Sequence, residues 1–393
     1  MSETYASRLK KRVKLGVCGD EEKVEDENSL REKVNQLAAL CRNAKHIVVH
    51  TGAGVSTAAG IPDFRGPKGV WTAKQKRKKP PASKSFDEAR PTVTHLALAA
   101  LYHAGLVKYI VTQNVDGLHL KSGIPRSALS EVHGTVFAEH CDRCHTEYPS
   151  WTEIHGMGYK PTGRGCPRPG CGGGLRDKIT DWDSDLPQED KDRAEDEHEK
   201  ADLLIVLGSS LRVQPANQFP KYTFETNEEK PEPGDLVIVN LQETELDSLC
   251  TLRFFGRCDN VMELLMQNLG LQIPPWDREA AKERIEAAWK EASSSSSRPV
   301  DSTASDAAPA PAAASKADAV SASPETQTGG ESGASSQEKP QTMYGKRKRG
   351  EREETKSHGA PPDEPTSSGN PQPVEAKKRA TCAVNKRENR QKK

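Results

Sequence analysis

Four cysteines have the type and spacing of a metal site. Cys141 and Cys144 form one pair, Cys166 and Cys171 form a second, and 21 residues separate the two pairs. Two such pairs match a tetrahedral zinc site, and four cysteine ligands would leave no coordination position open for a substrate. We therefore predict a structural rather than a catalytic zinc ion. The alternative interpretation is four unrelated thiols.

A glycine-rich segment, residues 51–60, directly follows an apolar stretch that is typical of a buried strand. Gly52 and Gly54 permit a tight turn, and a helix beginning after it would offer free N–H groups to a diphosphate. The segment departs from the dehydrogenase fingerprint G-x-G-x-x-G, whose third glycine would fall at Thr57. We predict a nucleotide site here, and an ordinary glycine-rich turn is the alternative.

The next loop, residues 60–66, places Asp63, Phe64 and Arg65 side by side, and Trp71 follows shortly after it. An aromatic ring beside a charged pair suits a ligand that carries a ring. We predict a ligand-binding loop, and a salt-bridged surface loop is the alternative.

Polar residues follow several strand-like segments. Gln113, Asn114 and Asp116 come after the apolar residues 109–112. Ligands of open α/β sheets bind beyond the carboxyl ends of the strands, and two amides with a carboxylate can hold sugar hydroxyls. A plain turn is the alternative. Weaker signals of the same kind are residues 208–210 and 240–242.

His133 is the candidate general base. Gly134 follows it at a strand end, and an imidazole with a pKa near neutrality can take a proton there. A structural histidine is the alternative.

These motifs lie on alternating strand-like and helix-like segments. Short, wholly apolar stretches are typical of strands buried on both faces. Ser29 and Glu32 form a capping box that predicts a helix start. The alternation predicts an α/β fold with a Rossmann-like, doubly wound parallel sheet, which residues 135–176 interrupt as a small zinc-binding module. We expect an N-terminal extension at 1–27, the main domain at 28–275 and a closing helix at 276–292.

Composition separates this folded part from the last hundred residues. Residues 293–393 contain no Leu, Ile, Phe or Trp, so we predict a disordered tail. The net charge is zero, but residues 344–393 hold 14 basic against 7 acidic side chains, a net charge of +7. Basic clusters at 346–349 and 377–379 are typical of nuclear import or of contact with nucleic-acid phosphates. The basic segment 74–84 suits contact with DNA or the nucleosome, and a solvated surface is the alternative. We expect neither a membrane span nor a secretory signal.

Taken in order, six motifs resemble the sirtuins, which are NAD-dependent protein deacylases. They are Gly-Ala-Gly-Val-Ser, Gly-Ile-Pro-Asp-Phe-Arg, Gln-Asn-Val-Asp-Gly-Leu-His, His-Gly, the cysteine pairs and Gly-Ser-Ser, and they span about residues 30–275. The segments at 66–71, 181–183 and 273–276 are similar to the nuclear, chromatin-associated sirtuin-six type. The resemblance implies a Rossmann-like domain and a zinc domain with NAD and acyl-lysine between them.

The resemblance also implies roles for individual residues. His133 would be the base that activates a ribose hydroxyl, and Asn114 and Asp116 would be catalytic with it. The residues that would bind NAD are Ala53, Thr57, Asp63, Phe64, Arg65, Trp71, Gln113, His133, Gly208, Ser210, Asn240, Gln242 and Cys258. Zinc would be bound by Cys141, Cys144, Cys166 and Cys171.

The implied reaction removes acyl groups, including long-chain ones, from histone lysines at chromatin. It transfers the acyl group to ADP-ribose and releases nicotinamide. The expected partners are acylated histone tails and, through the basic segments, the nucleosome or DNA, and the expected location is the nucleus. Two alternatives remain: a protein mono-ADP-ribosyltransferase that uses the same NAD site, and a chromatin-binding scaffold with little turnover.

Overall fold

The structure, a computed structural model, describes residues 15–181, 184–228 and 230–294. The predicted tail lies outside these residues apart from positions 293 and 294, and so do its two basic clusters. The predicted N-terminal extension is described from residue 15 onward. Two residues of the motif at 181–183 also lie outside the described part.

A six-stranded parallel sheet forms the larger layer, in the order β10-β9-β8-β1-β2-β3. Its strands are β1 (Ile47–Thr51), β2 (Val107–Thr112), β3 (Leu129–Glu131), β8 (Leu203–Leu207), β9 (Asp235–Val239) and β10 (Leu252–Phe254). The chain builds outward from β1 to β3 and later returns to place β8 on the other side of β1. This topology confirms the predicted doubly wound, Rossmann-like fold, with its switch point between β1 and β8, where such sheets bind ligands.

Along the chain, the α-helices lie before and after the inserted residues 135–176. They are α1 (Glu27–Asn43), α2 (Val70–Gln75), α3 (Val93–His103), α4 (Leu118–Ser122), α5 (Gln188–Lys200), α6 (Phe219–Tyr222), α7 (Cys258–Leu269) and α8 (Arg278–Ser294). Short 3₁₀ helices lie at Ala53–Ala59, Arg126–Ala128 and Asp247–Leu249. None of the helices in the described part of the chain is long and apolar enough to cross a bilayer.

Helix α1 begins three residues earlier than the capping box at Ser29 and Glu32 predicts. Asp26 is the N-cap, and its carboxylate accepts the backbone N–H of Ser29 at 3.0 Å. An aspartate in this position satisfies a free helix donor and complements the positive end of the helix dipole, so the helix starts at Glu27.

The core lies between the parallel sheet and its helices. All five residues of β1 and all five of β8 are buried, as expected for strands covered on both faces. Helix α1 contributes Leu30, Val34 and Leu37 to the same core, and it packs against α7. The ends of β1 and β8 are therefore held rigidly beside each other.

The inserted module is a four-stranded antiparallel sheet in the order β5-β4-β7-β6. Its strands are β4 (Gly134–Cys141), β5 (Glu147–Pro149), β6 (Pro161–Gly165) and β7 (Gly174–Ile179). It carries all four cysteines of the predicted zinc site. Helix α8 packs against β5, and Trp289 lies against the cysteines. The helix therefore connects the end of the described chain to the zinc module.

Candidate active site

A cavity lies where the loops after β1, β2, β3, β8 and β9 converge. The predicted site residues that line it are Ala53, Asp63, Phe64, Arg65, Trp71, Gln113, Asn114, Asp116, His133, Gly208, Ser210, Asn240 and Gln242. Thr57 and Cys258 are not among its lining residues. Thr57 is exposed and donates its hydroxyl to the Gly54 carbonyl at 3.0 Å, and Cys258 is buried at the first position of α7. Their proposed contacts with NAD stay predictions.

Glycines bring the loops after β1 and β8 into direct backbone contact. The N–H of Gly54 donates to the carbonyl of Gly208 at 2.9 Å. A Cβ atom on Gly54 would stand 2.7 Å from the Cα of Gly208, and one on Gly52 would stand 2.8 Å from its oxygen. This close approach requires glycine, and it leaves a groove of backbone at the switch point that suits a dinucleotide.

The carboxylate of Asp116 is fixed by hydrogen bonds to both of its oxygens. Its Oδ2 accepts the hydroxyl of Ser56 at 2.6 Å, and its Oδ1 accepts the backbone N–H of Leu118 at 3.0 Å. The amide nitrogen of Asn114 donates to the Gly52 carbonyl at 3.0 Å and to Ser56 at 3.2 Å. Among the described residues, none donates to Oδ1 of Asn114, so this side chain presents an acceptor in the cavity wall.

His133 has one defined tautomer. Its Nδ1 lies 3.0 Å from the backbone carbonyl of Gln113, and because a carbonyl can only accept, Nδ1 must carry the hydrogen. The Nε2 atom therefore keeps its lone pair. Burial lowers the pKa of His133 below 6.5, partly offset by this hydrogen bond, so the ring is neutral at pH 7. This is the state that a general base requires.

The backbone around His133 is fixed from the inserted module. Thr180 donates its N–H at 3.2 Å and its hydroxyl at 3.0 Å to the carbonyl of His133. Gly134 follows with φ +75°, and a Cβ there would stand 1.8 Å from the carbonyl oxygen of Lys178. The turn that aims the imidazole therefore depends on glycine at this position.

The loop after the 3₁₀ helix places two aromatic rings and an arginine against one another in the cavity wall. The rings of Phe64 and Trp71 lie 4.8 Å apart, and the guanidinium of Arg65 lies 4.4 Å from the Trp71 ring. Arg65 is 8% exposed, so it differs from the arginine of a salt-bridged surface loop. Asp63 accepts the N–H of Gly66 at 2.9 Å, and burial raises the pKa of its carboxyl.

The N-terminal segment contacts residues that line the cavity, and no motif in the sequence predicts these contacts. Gly19 donates its N–H to the Arg65 carbonyl at 2.7 Å, and the Asp20 carbonyl accepts the amide of Gln242 at 2.7 Å. The carboxylate of Asp20 pairs with Arg212 at 2.9 Å. Other lining residues that were missed are Ser56, Phe86, Val115, Thr180, Leu186 and Ser209. Of these, Ser56, Val115 and Ser209 lie inside motifs that the sequence already indicated.

The four cysteines fit one zinc ion. Their Sγ atoms all lie within 4.8 Å of one another, with 3.6 Å between Cys141 and Cys171 and 3.8 Å between Cys144 and Cys166. A tetrahedral ion with Zn–S bonds of about 2.3 Å places its ligands about 3.8 Å apart. The spacing, together with the four-thiolate donor set, supports the prediction of a structural zinc.

Comparisons with known proteins agree with this geometry. Residues 79–215 match the model of the Sir2 family. A protein of Arabidopsis thaliana, described as NAD-dependent protein deacetylase SRT1, is 43% identical over 279 residues, which are 71% of this chain and 58% of that protein. A Drosophila melanogaster protein, described as NAD-dependent protein deacetylase Sirt6, is 40% identical over 283 residues, which are 70% of this chain and 87% of that protein.

Among solved structures, one that is similar to this chain is that of a Sir2 protein bound to a propionylated peptide. It is 29% identical, covers 61% of this chain and 100% of its own, and has a TM-score of 0.46. The chain spans less than two thirds of the length of the plant relative.

Proposed function

This chain belongs to the Sir2 family, and we propose that it is an NAD-dependent protein-lysine deacylase whose active centre is the cavity at the strand ends. The observation that carries the proposal is His133: a neutral imidazole in the cavity wall whose Nδ1–H is tied to Gln113, which leaves Nε2 as a base. The two relatives described above are both named as deacetylases of this kind.

Different residues around the cavity would bind different parts of NAD. The backbone groove at Gly52, Gly54 and Gly208 would hold the diphosphate of NAD. Gln113 and Asn114 would hold hydroxyls of the ribose next to nicotinamide. When bound, NAD supplies the carbon that the acyl oxygen attacks and nicotinamide as the leaving group.

The side chains then have two further tasks. Phe64, Trp71 and Arg65 line the cavity and would limit the access of water to the reacting ribose carbon of NAD. His133 would accept a proton at Nε2 from a ribose hydroxyl of NAD, and the hydroxyl would then be able to attack the acyl carbon. With one water molecule consumed, the products would be free lysine, nicotinamide and an acyl ester of ADP-ribose.

The apolar part of the wall supports removal of acyl groups longer than acetyl. Ile61, Phe86, Val115 and Leu186 all line the cavity. Apolar side chains of this kind would gain about 0.8 kcal/mol for each methylene group of a chain that they bury. A series of lysine peptides with acyl chains of increasing length tests this: catalytic efficiency should not fall with length, and a steep loss beyond acetyl would contradict it.

Histones at chromatin are the proposed substrate, with the nucleus as the location. The basic residues of segment 74–84 (Lys74, Lys76, Arg77, Lys78, Lys79 and Lys84) are all exposed. An exposed cationic loop suits salt-sensitive contact with phosphates. Replacing Lys76, Arg77, Lys78 and Lys79 with Ser should weaken nucleosome binding and leave turnover of a free acetyl-peptide unchanged. Unchanged binding at about 0.1 M salt would contradict this role.

The activity itself is tested by measuring nicotinamide. The full chain is incubated with NAD, with or without an acetyl-lysine peptide, and nicotinamide release should require the peptide. A mass gain of ADP-ribose on protein, without deacetylation, would instead indicate the transferase. Nucleosome binding without any NAD turnover would indicate the scaffold.

A further inference from the structure

A buried chain of hydrogen bonds leads from helix α5 to the cavity. It begins at the carbonyl of Ala194, which lies 2.6 Å from Nδ1 of His198. Nε2 of His198 lies 3.2 Å from Nδ1 of His50, and Nε2 of His50 lies 2.7 Å from the side-chain nitrogen of Gln113. That nitrogen also lies 2.9 Å from the hydroxyl oxygen of Ser209. Both histidines have no exposed surface.

The direction of every bond follows from the first one. The Ala194 carbonyl can only accept, so Nδ1 of His198 carries a hydrogen and its Nε2 is an acceptor. His50 must then donate from Nδ1, which makes its own Nε2 an acceptor. In the last bond, the side-chain nitrogen of Gln113 is therefore the donor to Nε2 of His50. Burial lowers the pKa of His198 to about 4 and that of His50 well below 6.5, so both rings stay neutral at pH 7.

The chain of bonds decides which way the Gln113 amide points. Its nitrogen uses one hydrogen toward His50 and the other toward Ser209. A reversed amide would place Oε1 against the lone pair of His50, which is repulsive. Within the described residues, no donor reaches Oε1, and Gln113 lines the cavity. The oxygen is therefore presented as an acceptor.

We propose that His50 is a positioning residue for NAD: it orients the Gln113 amide so that Oε1 can accept a ribose hydroxyl, and His198 sets the tautomer of His50. This inference rests on the proposed function. The carbonyl of Gln113 already orients His133, so one residue would align both the ribose and the base. His50 itself does not line the cavity.

The tautomers can be measured without ligand or substitution. The full chain is labelled with ¹⁵N-histidine, and the imidazole signals are assigned by correlation to the backbone. At pH 7, His50 and His198 should both be neutral with the hydrogen on Nδ1, the less common form in water. An Nε2–H tautomer or an imidazolium at either residue would overturn the proposal.

The effect of His50 on NAD binding is measured in two ways: the dissociation constant is determined by calorimetry, and the change in KM for NAD is compared with the change in kcat. His50→Leu removes one hydrogen bond and should raise both the dissociation constant and the KM for NAD about 2- to 10-fold. The kcat at saturating NAD should change little. His50→Gln, which restores an acceptor, should recover part of the affinity. His95→Leu removes an equally buried histidine outside the chain of bonds and should leave NAD affinity unchanged.

A double-mutant cycle separates positioning from a general structural effect. If His50 acts through Gln113, then His50→Leu should add little to the loss caused by Gln113→Ala. Additive effects, or an unchanged affinity in a folded His50→Leu protein, would overturn the inference. If the wild-type chain binds NAD but deacylates no peptide, the proposed function fails while the positioning role still stands.

Discussion

Gln113 joins the base to the sugar-binding side of the cavity. Its backbone carbonyl fixes the tautomer of His133, and its side-chain amide is oriented by His50 and Ser209. A small displacement of this residue would therefore disturb the proton acceptor and the proposed ribose contact together. The N–H of Gln113 continues the hydrogen bonding between β1 and β2, since it donates to the Thr51 carbonyl at 3.0 Å and so fixes this strand end.

The turn at Gly134 provides a test at the scale of a single residue. Gly134→Ala should destabilise the protein by several kcal/mol, because a Cβ would stand 1.8 Å from the carbonyl oxygen of Lys178. Gly163→Ala is the matched control, since Gly163 also has a positive φ, +84°, but nothing lies within 4 Å of its Cβ position. The control should cost only about 1–2 kcal/mol. Equal losses in urea unfolding would contradict the account.

The sequence indicated the place of some residues at the cavity but gave no sign of the role of others. Asp63, Phe64, Arg65 and Trp71 were predictable because their types are unusual for a connecting loop. His50 was not, because in the sequence it reads as one more position of a buried strand. Its polar role depends on His198, which is 148 residues away along the chain.

At the scale of elements, a group of buried charges joins the zinc module to the parallel sheet. Arg126 lies 2.8 Å from Glu147 of β5 and 2.7 Å from Asp190 of α5. Lys178 of β7 pairs with Asp190 at 3.0 Å and also with Glu147. The side chain of Asp190 is 1% exposed, and its charge is compensated by these two cations, by Arg193 at 3.2 Å and by the backbone N–H of Glu131 at 3.2 Å. The relative position of β3, β5 and α5 depends on them.

Asp190→Asn should therefore destabilise the fold by about 3–5 kcal/mol, because it leaves buried cations without their partner. Glu189→Gln on the same helix is the control: Glu189 is 84% exposed, and its substitution should leave stability within about 0.5 kcal/mol. Urea unfolding of the two variants measures the difference. A loss below about 1 kcal/mol in Asp190→Asn would show that the cluster does not hold the module.

Removal of zinc tests whether the ion holds the antiparallel sheet of the zinc module together. Metal analysis should find about one zinc ion per chain, and Cys144→Ser should lose it. Because the four thiols bring together β4, β7 and the loops between them, loss of the ion should unfold the module and abolish activity. A Cys144→Ser protein that kept its zinc and its fold would contradict the four-cysteine assignment.

The elements were more predictable than their order in space. Wholly apolar stretches identified β1, β2, β8 and β9 because both faces of a central parallel strand are buried. The placement of β8 beside β1 could not be predicted, since it depends on where the chain returns after the insertion. The start of α1 was misplaced because Ser29 and Glu32 match a capping box, whereas the structure uses Asp26 as the N-cap.

For the molecule as a whole, the N-terminal segment was the largest omission. Residues 15–25 have no periodic pattern, and they are held by backbone contacts to loops far away in sequence, at Arg65 and Leu241. Such contacts leave no signal in composition. The segment nevertheless contacts Arg65 and Gln242, two residues that line the cavity.

Acid stability of the whole fold follows from its buried histidines. Burial lowers the pKa of His95 from 6.5 to about 3 and that of His198 to about 4. The unfolded chain takes up these protons first as the pH falls, so folding stability should decrease from about pH 6.5 down to about pH 4. Each histidine contributes at most about 1.4 kcal/mol per pH unit.

Urea unfolding between pH 7 and pH 4 measures this dependence. His95→Leu lacks one of the buried histidines and should show a shallower decrease, by about one proton. Identical slopes for the wild type and this variant would show that His95 is not held neutral in the fold.

The central claim is that this cavity deacylates lysine with consumption of NAD and uses His133 as the base. Its most direct test is mass spectrometry of the products from NAD and an acetyl-lysine peptide, for the wild type and for His133→Ala. The wild type should form deacetylated peptide, nicotinamide and acetyl-ADP-ribose in equal amounts. The folded variant should form them about 10²- to 10⁴-fold more slowly. Equal rates in the two proteins, or deacetylation without acetyl-ADP-ribose, would contradict the account.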